Sequence, residues 1–91
     1  MDCYWCFSCG RSDRGIELHH IYGRISASPL NCSPQCTYCH SHMNHNQDEQ
    51  RTLLMKTIKY LTGIDYKFKP ADYDFLLSQH RDFEWVKENI R

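Results

Sequence analysis

The sequence has no excess of charge of either sign. Eleven lysines and arginines balance eleven aspartates and glutamates, so the overall charge gives no reason to expect nucleic acid as a partner. The distribution is less even, because residues 47–69 hold five basic and three acidic side chains, whereas residues 70–91 hold three basic and five acidic ones. Any contact with phosphates is therefore expected from the front and the middle of the chain.

The sequence also lacks long apolar runs. No run approaches the length that spans a membrane, and the N-terminus lacks the apolar segment of a secretion signal. We therefore expect an intracellular, cytoplasmic protein with no membrane partner.

Small size is a third constraint. A chain of 91 residues allows one domain and buries too little surface to be comfortably stable without a crosslink or a structural metal. Six cysteines could form three disulfides, but thiols in Cys-x-x-Cys pairs without an export signal favour metal over disulfides.

Two such pairs, Cys6 with Cys9 and Cys36 with Cys39, lie about twenty-five residues apart. Together they predict one four-thiolate zinc site, because zinc takes four soft ligands in a tetrahedron. The register is open to shifts, since Cys3 precedes Cys6 by three residues and Cys32 precedes Cys36 by four. Gly10 favours the Cys6 and Cys9 pair, because glycine permits the positive φ that often follows a thiolate turn.

Two adjacent histidines lie between the cysteine pairs. Residues 16–22 alternate apolar and polar side chains at first, which predicts a short strand with His19 and His20 pointing to opposite faces. Residues 23–30 contain glycine, serines and proline and are expected to form a loop.

The order Cys-x-x-Cys-Gly, His-His-Ile, Asn and Cys-x-x-Cys-His, spread over residues 3–46, resembles the HNH endonucleases, also called ββα-metal or His-Me finger nucleases. The resemblance implies a small α+β fold: a ββα-metal motif with a four-cysteine zinc staple, meaning a zinc site that crosslinks the chain, followed by C-terminal helices. It also implies a helix beginning near Tyr38, and suggests phage or mobile-element origin.

The same resemblance implies roles for particular residues. His19 and His40 would bind the catalytic cation, His20 would be the general base, and Asn31 would hold the loop that orients it. The implied reaction is DNA cleavage that leaves a 5′ phosphate and a 3′ hydroxyl. Magnesium or manganese is the expected catalytic ion, with zinc or nickel as further candidates. DNA contacts are expected from Arg24, His42 and His45.

The second half, residues 47–91, is expected to be a helical extension packed on the nuclease core of residues 1–46 within a single domain. An acidic first turn at residues 48–50 opens a helix, and Gly63 is its expected C-cap. Its apolar stripe is expected to pack on the zinc module, with a dimer seam as the alternative, so monomer and homodimer stay open. The stripe is Leu53, Leu54, Ile58 and Leu61.

Pro70 suits the first turn of a third helix. Four of its residues share one face, which is expected to be core, and His80 is expected to be structural. These four are Tyr73, Leu76, Leu77 and His80.

Two other functions compete with the nuclease. One is a zinc-dependent DNA-binding module without catalytic activity, and the other is a zinc-stabilised protein-interaction domain that uses the helical tail. The first has no need of His20 and Asn31 together, and both residues are present, whereas the neutral charge permits the second.

Overall fold

The computed structural model describes residues 5–13, 15–43 and 46–90, so the predictions on Cys3 and His45 lie outside the described residues. The fold is small and α+β, as predicted. Two strands and a short 3-10 turn at Pro29–Asn31 precede four helices. The strands are β1 (Ile16–His20) and β2 (Cys32–Cys36), and the helices are α1 (Thr37–Ser41), α2 (Gln47–Gly63), α3 (Pro70–Ser78) and α4 (His80–Asn89).

The two strands form an antiparallel pair in which His19 lies opposite Ser33 and His20 lies opposite Cys32. Strand β1 ends at His20, two residues earlier than expected. Every residue of β2 is buried, although its sequence, Cys-Ser-Pro-Gln-Cys, has neither alternation nor β-branched residues. Its strand character comes from pairing and burial, which explains why its own residues gave no prediction of it.

Helix α2 carries the hydrophobic core. The side chain of Asn46 caps its N-terminus by accepting the Glu49 N–H at 2.8 Å, and the predicted apolar stripe is buried within the chain. Leu53 packs with Phe7 and Ile21 beside the first cysteine pair, as predicted. The chain's own residues cover this stripe, whereas monomer and homodimer both stay open as predictions. The rest of the stripe packs with Leu30, Phe75, Leu76 and Val86.

The C-terminus of α2 differs from the prediction in one detail. Gly63 is the last helical residue rather than the C-cap, and Asp65 takes the left-handed conformation with φ of 59°. The Tyr66 N–H then donates to the Leu61 carbonyl at 2.9 Å. Aspartate tolerates this conformation better than most non-glycine residues.

Pro70 begins α3, as predicted, but the expected core face of that helix is right for Leu76 and wrong for Tyr73 and Leu77. Tyr73 is 55% exposed and Leu77 is 71% exposed, while Phe75 and Leu76 are buried. The physical reason is Asp72, which is buried and bonded at the N-terminus of the helix, so residues three and four positions later face inward. His80 is exposed and begins a new helix after Gln79.

Asp72 joins α3 to the loop that follows β1. Its carboxylate accepts the Lys69 N–H at 2.8 Å, the Ser28 hydroxyl at 2.6 Å and the Tyr66 hydroxyl at 2.8 Å. Burial alone would raise the pKa of Asp72, but these three donors outweigh burial and hold the pKa below its ordinary value.

Asp82, on α4, makes a second connection between the loop and the C-terminal helices. It accepts the Tyr22 hydroxyl at 2.6 Å and the Gln47 amide at 3.2 Å, and it pairs with Arg51 at 3.5 Å. Burial and the bond to Asp82 both raise the pKa of Tyr22. The loop of residues 21–31 is thus tied to the C-terminal helices near both of its ends. Within the described residues, no helix has the length and apolar character needed to cross a membrane.

We expect Asp72→Ala to lower the free energy of unfolding by about 2 to 4 kcal/mol, because one buried donor, Ser28, and two part-buried donors lose their acceptor. Because the pKa of Asp72 is depressed in the folded chain, its carboxylate stabilises the fold fully above pH 3.8, its ordinary value, and less as the pH falls below it. Denaturant titration from pH 3 to pH 7 measures both effects. Asp74→Ala, at an exposed position of the same helix, should change stability by less than about 0.5 kcal/mol.

Candidate metal centres

Four sulfurs converge at one end of the sheet. The Sγ atoms of Cys6, Cys9, Cys36 and Cys39 all lie within 4.8 Å of one another, and the distance from Cys9 to Cys36 is 3.8 Å. Four thiolates around one zinc ion at about 2.3 Å lie about 3.8 Å from one another. The cluster therefore has the donors and the spacing for one metal ion, and it is the only such group of three or more found in the part of the chain that the structure describes.

The backbone shapes both halves of this cluster. In the first half, the amides of Ser8 and Cys9 donate to the Cys6 sulfur at 3.3 and 3.5 Å. Gly10 closes the turn with φ of 77°, as the sequence predicted. In the second half, Cys36 is the N-cap of α1 and its sulfur accepts the Cys39 N–H at 3.3 Å. Amides aimed at sulfur are typical of thiolate ligands.

The acidities of the thiols reflect their crowding. Burial raises the pKa of Cys6, but the backbone amides outweigh burial and its pKa is lowered. Burial and the neighbouring cysteines raise the pKa of Cys39 to about 12. Four close thiols cannot all ionise, because their negative charges repel; a divalent cation removes that conflict.

Cys32 stays outside the cluster. Its thiol is buried and donates to the Ser28 carbonyl at 3.7 Å, and burial raises its pKa. The alternative register would require Cys32 to replace one of the four clustered cysteines, and the structure does not place its sulfur among them. Cys32 is a small buried residue beside the loop.

A second convergence brings His19 and His40 together. Their ring centres are 5.2 Å apart, and the ring planes are inclined by 62°. Two imidazoles bound to one ion at about 2.1 Å, at an angle of about 90 to 110°, place their ring centres about 4.5 to 5.2 Å apart. His19 is buried on β1 and His40 is half-buried on α1. The ring-centre distance of this pair lies at the upper end of that range.

Glu17 lies beside His40, a contact that the sequence did not predict. Its Oε1 lies 3.2 Å from the His40 Nδ1, which leaves the His40 Nε2 available for a metal ion. The signal was present, because Glu17 and His19 are two residues apart on a strand and so share a face.

Asn31 is fully buried, and its side chain makes three bonds to the loop that follows His20. Its Oδ1 accepts the Tyr22 N–H at 2.9 Å, and its Nδ2 donates to the carbonyls of Gly23 and Ser26 at 2.8 and 3.0 Å. His20 itself is half-buried at the end of β1 and is not part of the ring contact between the other two histidines.

The expected DNA-contact residues are dispersed. Arg24 is exposed in the turn after Gly23. His42 is exposed at the end of α1 and stacks on Tyr38 with ring centres 4.2 Å apart. These positions leave both side chains at the surface.

Comparison with protein-family models, with curated proteins and with solved structures found no match to this chain.

We expect the purified chain to hold one tightly bound zinc ion, measurable by native mass spectrometry. Cys36→Ser should abolish tight binding, because it removes one of the four sulfurs. Cys32→Ser is the matched control, since it removes a buried thiol of the same strand that lies outside the cluster. Equal zinc content in both variants would contradict the assignment of the site.

Proposed function

We propose that this protein is a metal-dependent HNH endonuclease that hydrolyses DNA phosphodiester bonds, with 5′-phosphate and 3′-hydroxyl products. The observation that carries the proposal is the contact between His19 and His40, at 5.2 Å between ring centres. These residues are 21 positions apart in the sequence, and each is a histidine for which the HNH resemblance implies metal binding.

The local architecture supports this proposal. Strand β1, strand β2 and helix α1 follow one another, with one histidine of the pair on β1 and the other on α1. The cysteine cluster lies at the start of α1. This is the order of elements that a ββα-metal motif with a zinc staple requires.

The two proposed metal sites differ in what they leave open. In the cysteine cluster four sulfurs would fill the coordination sphere of zinc, so that ion would stabilise the fold and take no part in catalysis. His19 and His40 would hold magnesium or manganese, with zinc or nickel as further candidates, and leave positions for water and phosphate. That second ion would neutralise charge that grows on the phosphate and on the leaving 3′ oxygen.

The remaining chemistry belongs to side chains of the chain. His20, in its neutral form, accepts a proton from the water that attacks phosphorus. Asn31 fixes the backbone just after His20 and so fixes the direction of that imidazole. Glu17 orients the His40 ring through its Nδ1.

DNA is the proposed partner, and Arg24 is the proposed phosphate contact, because it is exposed only four residues after His20. His42 and His45 remain proposed DNA contacts, as expected from the sequence.

We expect the zinc-loaded protein to nick supercoiled plasmid when manganese or magnesium is added. His20→Ala should lower the rate by about 100-fold or more, because the general base is lost. His80→Ala is the control, because it removes an exposed histidine on α4 and should leave the rate unchanged. DNA binding without cleavage by the wild type would indicate an inactive binding module, and absence of both would favour a protein-interaction domain.

The second metal site can be tested without activity. Manganese binding, followed by electron paramagnetic resonance on zinc-loaded protein, should weaken strongly in His40→Ala, because one of two protein ligands is lost. Glu17→Gln should weaken it by about 10-fold, since a partner that orients a ligand typically has that effect. The zinc content of both variants should equal that of the wild type; manganese binding unaffected by either change would contradict the assignment.

A further inference from the structure

Gln35 lies beside the cysteine cluster in an unusual position. Its side chain is fully buried at the penultimate residue of β2. Its Oε1 is 3.6 Å from the Cys6 sulfur and 2.7 Å from the Ser8 hydroxyl. Its Nε2 donates to the Ser33 hydroxyl at 3.1 Å. A polar side chain of this size is rarely buried without a specific partner.

The contact with Cys6 depends on whether sulfur carries a proton. As a thiol, Cys6 can donate its S–H to the Gln35 oxygen, which is the arrangement seen. As a metal-bound thiolate, Cys6 has no proton and only accepts hydrogen bonds. The amide oxygen would then face a negative sulfur at the same buried position, which is repulsive and costly.

The two serines allow the amide to reverse without losing a bond. A hydroxyl can donate or accept, so Ser8 can accept from the reversed amide nitrogen and Ser33 can donate to the reversed oxygen. After reversal the amide nitrogen occupies the place of the oxygen, 3.6 Å from the Cys6 sulfur. Each bond described for Gln35 thus has a counterpart in the reversed state.

We propose that Gln35 is a positioning residue of the cysteine site, which donates a side-chain N–H to the Cys6 thiolate when the cluster holds a metal ion. It joins the amides of Ser8 and Cys9, which already point at this sulfur, and adds a side-chain donor to these backbone donors. The proposal rests on metal binding by the cluster and is independent of nuclease activity.

The direct test is nuclear magnetic resonance of the wild-type chain loaded with ¹¹³Cd. A side-chain N–H of Gln35 should show a coupling to cadmium through the hydrogen bond to sulfur. The amide protons of Ser8 and Cys9 are internal controls, because they donate to the same sulfur. Couplings at Ser8 and Cys9 without one at Gln35 would overturn the proposal.

Variants test the consequence for metal retention. Gln35→Met keeps the length of the side chain but removes its donors, and should raise the rate of zinc transfer to a chelator by about 10- to 100-fold. Gln35→Glu replaces the donor by a carboxylate beside the thiolate and should raise that rate further. Gln79→Met, at the junction of α3 and α4, is the control and should match the wild type.

The results of these experiments distinguish a failure of the Gln35 proposal from a failure of the zinc-site assignment. If the wild type binds neither zinc nor cadmium, both fail together. If the wild type binds metal and Gln35→Met releases zinc at the wild-type rate, only the role of Gln35 fails. If Gln35→Met does not fold, the cadmium coupling in the wild type still decides.

Discussion

The convergence of four sulfurs is the constraint on which the rest of the structure depends. Helix α1 has only five residues, too few for a helix to persist by its own hydrogen bonds. It begins at Thr37, directly after Cys36, whose sulfur caps its first turn. The cluster joins that turn to residues 6–9 and so fixes where α1 points. His40 follows Cys39 directly and is thereby set against His19. The proposed structural metal would therefore affect the proposed catalytic site by fixing the orientation of α1.

The C-terminal half also contacts the loop that follows His20, next to the proposed catalytic site. Asp72 on α3 reaches Ser28, and Asp82 on α4 reaches Tyr22, so two buried carboxylates hold the loop that follows His20. Each carboxylate is buried with several donors, which is how a protein tolerates a charge away from water. The helices are therefore more than an extension packed on a core. Through these two carboxylates the C-terminal helices hold a loop that lies within residues 1–46.

The residues that the sequence predicted well carry local signals. The cysteine pairs, Gly10 and Pro70 are short motifs whose backbone chemistry is independent of distant contacts. Glu17 and Gln35 could not be read in the same way, because an isolated glutamate or glutamine has many uses and only the fold brings Glu17 to His40 and Gln35 to Cys6. The same limit applies to α3, where the apolar Leu77 is exposed and Asp72 is buried. Three hydrogen bonds to the Asp72 carboxylate outweighed the hydrophobic pattern of α3. Two of the donors are the hydroxyls of Ser28 and Tyr66, which lie outside that helix.

Asn31 shows how stability and the proposed function coincide at one residue. Strand β1 ends at His20, so the next backbone groups lose their ladder partners, and buried backbone groups must be paired. Asn31 supplies those partners for the Tyr22 N–H and for the carbonyls of Gly23 and Ser26. The bonds that satisfy the loop are the same bonds that would direct the His20 imidazole. Loss of activity in an Asn31 variant could therefore arise from an altered fold alone. His20 lies at the end of β1 and does not hold the loop in this way. A change of its side chain can therefore test the proposed catalysis separately from the stability of the fold.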